Sequence, residues 1–198
     1  MIKVYWSPVI NVPDNQEFVS ELKYYEPETI YKDINAREFF GLGAGMCPAI
    51  VDEAKNTFRA KSPIDFHIKF DYANQQASSK YDIDVNFLMN YIGGPNDEHV
   101  HQLDHPCFLF FADKPLTMTQ LHPYYEETQF SSVTMGISGT YNISSWIRPV
   151  RPAFKFKKNE NEIDITRGDT LCYFKFNTTE KIKMVRFDSA KLFDSKTG

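Results

Sequence analysis

Residues able to bind a metal ion are concentrated in one short segment, positions 97–105. The segment reads Asp-Glu-His-Val-His-Gln-Leu-Asp-His and holds three of the five histidines in the chain. If the segment is extended, alternate side chains share a face, so His99 and His101 point the same way, as two imidazole ligands must. Asp104 adds a carboxylate and His105 a third imidazole. These residues form a candidate site for a divalent metal such as iron, zinc or manganese.

A second interpretation of this segment stays open. It follows Gly93-Gly94-Pro95-Asn96, a strong turn signal, and a solvated loop explains the same residues. His67 and His122 would reach the segment only through the fold. Under the loop interpretation no cofactor is expected.

Basic and aromatic residues are mixed in the segment from Trp146 to Lys158. Its five basic residues are Arg148, Arg151, Lys155, Lys157 and Lys158. Such a mixture is typical of a surface for an anion, a nucleic acid or an acidic partner. The alternative is the water-exposed face of a strand, with the prolines marking a sheet edge. Because the net charge is −4 at pH 7, the strand is favoured and a nucleic-acid partner is not expected.

The chain shows no pattern for nucleophilic catalysis. It contains neither a Gly-x-Ser-x-Gly motif nor a phosphate-binding loop. The three cysteines, Cys47, Cys107 and Cys172, adjoin apolar or proline residues and are expected to be small buried hydrophobic side chains. The sequence therefore favours a protein that is not an enzyme.

The elements that position these residues are expected to be mainly strands. Phenylalanine and tyrosine number 17 and 11 among 198 residues, and both suit a pleated, half-buried surface. Apolar and polar residues alternate from Ile64 to Tyr72, which predicts a strand with His67 on its polar, solvated face. Further strands are predicted at 2–5, 108–112, 154–157, 163–166, 171–176 and 182–187, with 158–162 as a hairpin connection.

The predicted fold class is mainly β, a single β-sandwich, jelly-roll or β-clip-like domain. One or two short helices are expected in the N-terminal third, at about 14–23 and 35–40, while 48–55 fits either a helical turn or a strand. The domain is expected to span residues 1–198. It comprises a mixed segment at 1–60 packed on a β core at 62–187, and a polar tail at 188–198.

Several short sequence segments follow one another in a characteristic order between about residues 46 and 187. They are Cys47-Pro48, Asn56-Thr57-Phe58, Ser62–Phe66, His105-Pro106, Gly139 ahead of Trp146, and Ile163–Cys172. In this order they resemble a family of uncharacterised bacterial and bacteriophage proteins, a domain of unknown function. The resemblance supplies no catalytic residues. It implies a phage gene product with a virion-associated or host-interaction role.

Two remoter similarities concern the histidine segment and the later strands. Gly93, separated from His99 by five residues, resembles the first half of a cupin metal motif, which implies a metalloprotein or oxygenase. The Gly139 segment and the Gly168-Asp169 turn resemble trimeric dUTPases and other β-clip proteins. Those enzymes place an aspartate and a tyrosine after the first glycine, whereas this chain has Thr140-Tyr141-Asn142, so nucleotide hydrolysis is not expected.

These observations lead to two functional hypotheses. The first is a non-enzymatic, phage-type protein that acts through protein–protein assembly, with itself or with another protein; the alternative is a cupin-like metalloprotein. Tyr24, Tyr25, Tyr124 and Tyr125 are the predicted contact surface. No signal peptide and no apolar run near ~20 residues is visible, so we expect a cytoplasmic or virion-associated protein with no membrane partner.

Overall fold

A computed structural model of the chain shows a mainly β, sandwich-like fold. The structure describes residues 1–9, 24–35, 48–74, 76–81, 85, 89–92, 99–104 and 107–188. The predicted fold class is therefore confirmed, whereas the predicted helix at 14–23 and residues 36–40 of the helix predicted at 35–40 lie outside the described residues. Asn35, where that second helix was expected to begin, is instead the last residue of the helix Tyr31–Asn35. The expected single domain over 1–198, with its N-terminal segment, core and tail, stays a prediction. None of the helices among the described residues is long and apolar enough to span a membrane.

Fifteen strands and three helices are found in the described part of the chain. In the first half the strands are β1 (Ile2–Val9), β2 (Glu28–Thr29), β3 (Thr57–Lys61), β4 (Phe66–Asp71), β5 (Gln76–Ser78), β6 (Met89–Ile92) and β7 (Val100–Leu103). In the second half they are β8 (Cys107–Ala112), β9 (Thr117–Leu121), β10 (Thr134–Gly136), β11 (Gly139–Asn142), β12 (Ala153–Phe156), β13 (Glu162–Ile165), β14 (Thr170–Phe176) and β15 (Ile182–Arg186). The helices are α1 (Tyr31–Asn35), α2 (Pro48–Lys55) and α3 (Gln129–Val133).

The strands form four sheets. Sheet I has the order β15-β1-β8 and sheet II the order β11-β9-β14-β3-β2. Sheet III has the order β10-β12-β7-β6 and sheet IV the order β13-β4-β5. Within the described residues, β10 and β11 are therefore edge strands of sheets III and II, and they follow each other directly in the chain.

The sheets pack in pairs around two apolar cores. Trp6 of β1, Phe110 of β8 and Phe174 of β14 lie in the core between sheets I and II. Phe70 of β4 and Phe154 of β12 lie in the core between sheets III and IV. These side chains are buried because strand alternation points one face of each sheet inward.

Consecutive strands carry the chain from one core to the other. The chain passes from β3 in sheet II to β4 in sheet IV, and it returns from β13 in sheet IV to β14 in sheet II. It also passes from β7 in sheet III to β8 in sheet I. The predicted hairpin at 158–162 is therefore wrong. β12 pairs with β7 and β10, while β13 pairs with β4 in the opposite sheet, so the turn crosses between layers.

His67 does not lie on a solvated face, and that prediction is also wrong. The residue is buried on β4, where its Nε2 lies 2.8 Å from Glu162 Oε1 on β13. Its Nδ1 accepts a hydrogen bond from the Lys80 backbone N–H at 3.1 Å. The alternating pattern of β4 correctly predicts that His67 lies on the face opposite the core. The segment around Lys80 and the paired strand β13 cover that face, so His67 is buried.

The helices and cysteines test further parts of the sequence analysis. Residues 48–55 form a helix, which settles the ambiguity between helix and strand. Helix α3 was not predicted; its N-cap Thr128 accepts from the Ser131 backbone N–H at 3.1 Å, and Ser131 Oγ accepts from the Thr128 N–H at 2.9 Å. Cys107 and Cys172 are free and buried, as predicted, while Cys47 lies outside the described residues.

The close approach of His122 to the backbone of β10 explains why position 136 is a glycine. A methyl group at Gly136 would lie 3.0 Å from Cα and Cβ of His122, whose Nδ1 accepts a hydrogen bond from the Gly136 N–H at 3.0 Å. We expect Gly136→Ala to lower the free energy of unfolding by about 1–3 kcal/mol, because the overpacked methyl forces β10 away from His122. Urea denaturation measures this change.

Gly139→Ala is the matched control on the next strand. Its methyl group would meet the Tyr141 hydroxyl at 3.1 Å, which is the far end of a movable side chain. We expect its effect to stay within about 0.5 kcal/mol. Equal effects of the two substitutions would show that the His122 contact does not constrain β10.

Candidate functional site

His99 and His101 share one face at the start of β7, as the sequence predicts. His101 is fully buried, and its ring stacks on Phe154 with centroids 5.4 Å apart and meets the edges of Phe70 and Phe156. His99 is half-buried and stacks on Tyr72 at 4.7 Å with nearly parallel rings. The two imidazoles therefore lie among aromatic rings at the margin of the core between sheets III and IV.

Burial decides the protonation of His101. Removal from water, aided by the neighbouring His99, lowers the pKa of His101 to about 4. The ring is therefore neutral at pH 7, with Nε2 at 3.5 Å from the Tyr72 hydroxyl. A neutral imidazole is the form that binds a metal ion, although the three aromatic contacts also account for its position as a core residue.

The other predicted ligands are placed differently. Asp104 forms an ion pair with Arg151, with Oδ1 and Nε 2.5 Å apart, and His105 lies outside the described residues. His67 pairs with Glu162, and His122 holds the Gly136 backbone. Within the ranges that the structure describes, no three His, Cys, Asp or Glu side chains come together as a metal site. The metal hypothesis stays a prediction that rests on His99 and His101.

A cavity of about 660 Å³ adjoins His99. Tyr72, His99 and Phe156 contribute aromatic surface to it, and Lys155 and Glu160 contribute charges of opposite sign. Its volume is in the range of small-ligand sites. Lys157 also lines it, but the Lys157 ammonium donates to the carbonyl oxygens of Ser131 and Ser132 and so fastens the turn to α3.

The four predicted contact tyrosines divide into two groups. Tyr24 is buried, which raises its pKa to about 12, and Tyr125 is half-buried in a cluster with Ile30, Ala54 and Tyr173. Tyr25 and Tyr124 are exposed by 37% and 48% on the outer side of sheet II. Only these last two therefore present a ring to solvent.

A buried ion-pair network fastens this outer side of sheet II. Arg59 of β3 pairs with Glu126 and with Asp33 of α1. Glu126 also accepts hydrogen bonds from Tyr173 Oη at 3.2 Å and Thr170 Oγ1 at 2.5 Å. Burial opposes the charge on Arg59, but its bonds to Glu126 and Asp33 outweigh this and raise the pKa of Arg59. Each charged side chain of this network has a partner of opposite charge, so we assign the network a structural role.

Among the described residues, four large exposed apolar side chains lie close together in the sequence, on β10, in the link to β11 and in the segment after β11. We call these four residues the apolar edge: Met135, Ile137, Trp146 and Ile147, with 53%, 37%, 41% and 61% of their surface exposed. They fall within 13 positions of the sequence and belong to no interior cluster among the described residues. In the sequence Trp146 stands out for its basic neighbours and as part of the family resemblance, and neither pattern predicts its exposure.

A second cavity, of about 270 Å³, lies beside Trp146. Tyr141 and Trp146 form one wall with ring centroids 5.7 Å apart, and Arg148 and Arg151 contribute positive charge. The Arg148 guanidinium lies 5.3 Å from the Trp146 ring centroid, a cation–π contact. Within the described residues Arg148 forms no ion pair, whereas Arg151 is neutralised by Asp104.

The lowered pKa of His101 predicts a pH dependence of stability. As the pH falls from 7 to 5, the unfolded chain binds a proton at this position, with an ordinary pKa near 6.5, whereas the folded protein does not. The free energy of unfolding should therefore decrease by about 2 kcal/mol from this residue alone. Denaturant unfolding of the wild type and of His101→Phe, at both pH values, isolates the contribution.

The rest of the protein is the same in both, so only the difference between the two pH profiles is attributed to His101. We expect the variant to lose about 2 kcal/mol less than the wild type over this range. Parallel profiles would contradict the assignment of a buried, neutral His101.

Comparison of the chain with protein-family models, curated proteins and solved structures found no match. The resemblances to the uncharacterised phage and bacterial family, to cupins and to β-clip proteins therefore stay predictions from the sequence.

Proposed function

We propose that this protein is a non-enzymatic module that acts through protein–protein assembly and that the apolar edge is its contact surface. The observation that carries the proposal is the exposure of Met135 on the edge strand β10, of Ile137 in the link to β11, and of Trp146 and Ile147 shortly after the edge strand β11. Scattered single apolar residues are normal on a protein surface, but a group of four large ones on one edge is typical of an interaction site.

The composition of the apolar edge fits a protein partner. Trp, Tyr, Met and Arg are enriched at the centres of protein interfaces; Trp146, Tyr141 and Arg148 line one cavity here, and Met135 is exposed on β10. The Trp146 ring is already held between Tyr141 and Arg148, so little side-chain entropy is lost when a partner covers it.

The backbone of this edge supports the same interpretation. Strand β11 pairs with β9 on one side, and β10 pairs with β12 on one side, within the described residues. The outer side of β11 offers peptide groups to another chain, whereas on β10 the Gly136 N–H already donates to His122. A contacting protein would thus meet apolar side chains and backbone hydrogen-bonding groups on one surface.

A phage-type, virion-associated or host-interaction role is part of the proposal, and it rests on the sequence resemblance alone. Assembly through an exposed edge is compatible with that role. No catalytic residue is needed for it.

The cupin-like metalloprotein is the second candidate, because His99 and His101 lie side by side next to a cavity of about 660 Å³. Metal analysis of the purified protein separates the two candidates. Stoichiometric iron, zinc or manganese that is lost in both His99→Ala and His101→Ala would favour the metalloprotein and contradict the non-enzymatic proposal.

Photo-cross-linking tests the contact surface directly. We expect benzoylphenylalanine at position 146 to form a covalent adduct with a protein, either another copy or a different chain, because Trp146 lies in the contact. Tyr81 is the matched control, since it is an aromatic residue with 40% of its surface exposed, against 41% for Trp146. The readout is the mass of the adduct after irradiation.

Competition makes the cross-link specific. Unlabelled wild-type chain should suppress the adduct, whereas Trp146→Ala combined with Ile147→Ser should compete roughly 30-fold less well, the effect of losing about 2 kcal/mol at an interface centre. The absence of any adduct that wild-type chain suppresses, or an equal yield from position 81, would overturn the proposal.

A further inference from the structure

The apolar edge lies in the most basic part of the chain. Residues 128–159 contain five Lys and Arg and no Asp or Glu, a local charge of +5. Because the whole chain carries −4, the remaining residues together carry −9. An acidic surface therefore complements the apolar edge, and the rest of the same chain is acidic.

Two of these basic groups are available to a partner. Arg148 and Lys158 are exposed, and neither forms an ion pair with the described residues. They flank the apolar edge: Arg148 follows Ile147, and Lys158 lies in the turn after β12, whose Lys155 is opposite Met135. The edge thus presents apolar side chains between two free positive charges.

A surface with the opposite properties lies on the outer side of sheet II. We call it the tyrosine face and define it by the exposed rings of Tyr25 and Tyr124 and the exposed carboxylates of Glu26 and Glu127. Tyr25 lies over β3, where Lys61 contacts its ring, and Tyr124 packs against Tyr173 of the adjacent β14. Neither Glu26 nor Glu127 forms an ion pair with the described residues.

The tyrosine face is held rigidly, as a docking surface requires. The network of Arg59, Glu126 and Asp33 ties α1 and the segment before α3 to sheet II. The Tyr124 ring meets Tyr173 edge to face and the Tyr125 ring packs on it at a tilt, and Tyr173 is fully buried. The Tyr124 ring is therefore presented with little freedom to lose on binding.

We propose that the apolar edge of one copy docks on the tyrosine face of a second copy of this chain. The inference rests on the proposed assembly function and specifies its partner. Trp146 and Ile147 would cover the rings of Tyr25 and Tyr124, while Arg148 and Lys158 would meet Glu26 and Glu127. The two surfaces consist of different residues, so the contact joins unlike patches and generates a ring or a filament.

Charge reversal on each surface tests this pairing. The edge-reversed protein carries Arg148→Glu and Lys158→Glu, and the face-reversed protein carries Glu26→Lys and Glu127→Lys. All four residues are exposed, so we expect the fold to be retained, with circular dichroism as the check. Sedimentation velocity over a range of concentrations measures association from the 23.0 kDa single chain.

The wild type should associate as concentration rises and dissociate as salt is added, because part of the attraction is electrostatic. Each reversed protein alone should associate at least ~10-fold more weakly, since like charges then face each other. An equal mixture of the two should associate again. In the mixture each acidic surface finds a basic one on the other protein.

The outcomes separate this inference from the proposed function. If the face-reversed protein associates like the wild type while Trp146→Ala with Ile147→Ser does not, the apolar edge binds elsewhere and only the inference is overturned. The same conclusion follows if the wild type stays at 23.0 kDa but position 146 cross-links to a different protein. A monomeric wild type with no cross-link overturns both.

Discussion

The packing of phenylalanine rings between sheets I and II is the interaction on which the rest of the structure depends. Phe108 and Phe110 of β8 meet Phe174 of β14 edge to face, with centroids 5.5 and 4.7 Å apart, and Phe110 also meets Phe176. Each fully buried ring contributes about 2–3 kcal/mol through removal of apolar surface from water. This core fixes the position of β14, the central strand of sheet II.

Side chains on both faces of β14 make packing contacts, and this packing positions the surfaces of the protein. Phe174 points into the core, while Tyr173 points outward and supports Tyr124, Tyr125 and the hydroxyl contact to Glu126. The sheets end at β10 and β11, where no further strand of the described chain covers the apolar side chains. The arrangement thus combines a well-packed interior, an acidic face with exposed tyrosines, and a basic edge with exposed apolar residues.

Sequence periodicity predicted the strands well and their pairing poorly. The alternation along β4 and the continuous apolar run of β8 correspond to strands in the structure. The polar turn after β12 was interpreted as a hairpin because it separates two alternating segments, but β12 and β13 belong to opposite layers. Period-two patterns report which face a residue occupies, and they carry no information on which strand lies next to it.

The sequence alone determined the mainly β class, the buried state of Cys107 and Cys172, and the shared face of His99 and His101, because these depend on residue type and local alternation. Tertiary structure decided the rest. Burial of His67, the pairing of Asp104 with Arg151 and the exposure of Trp146 depend on which distant segments cover each position. Whether a distant segment covers a residue depends on the whole fold, so the residues next to it in the sequence do not determine its burial.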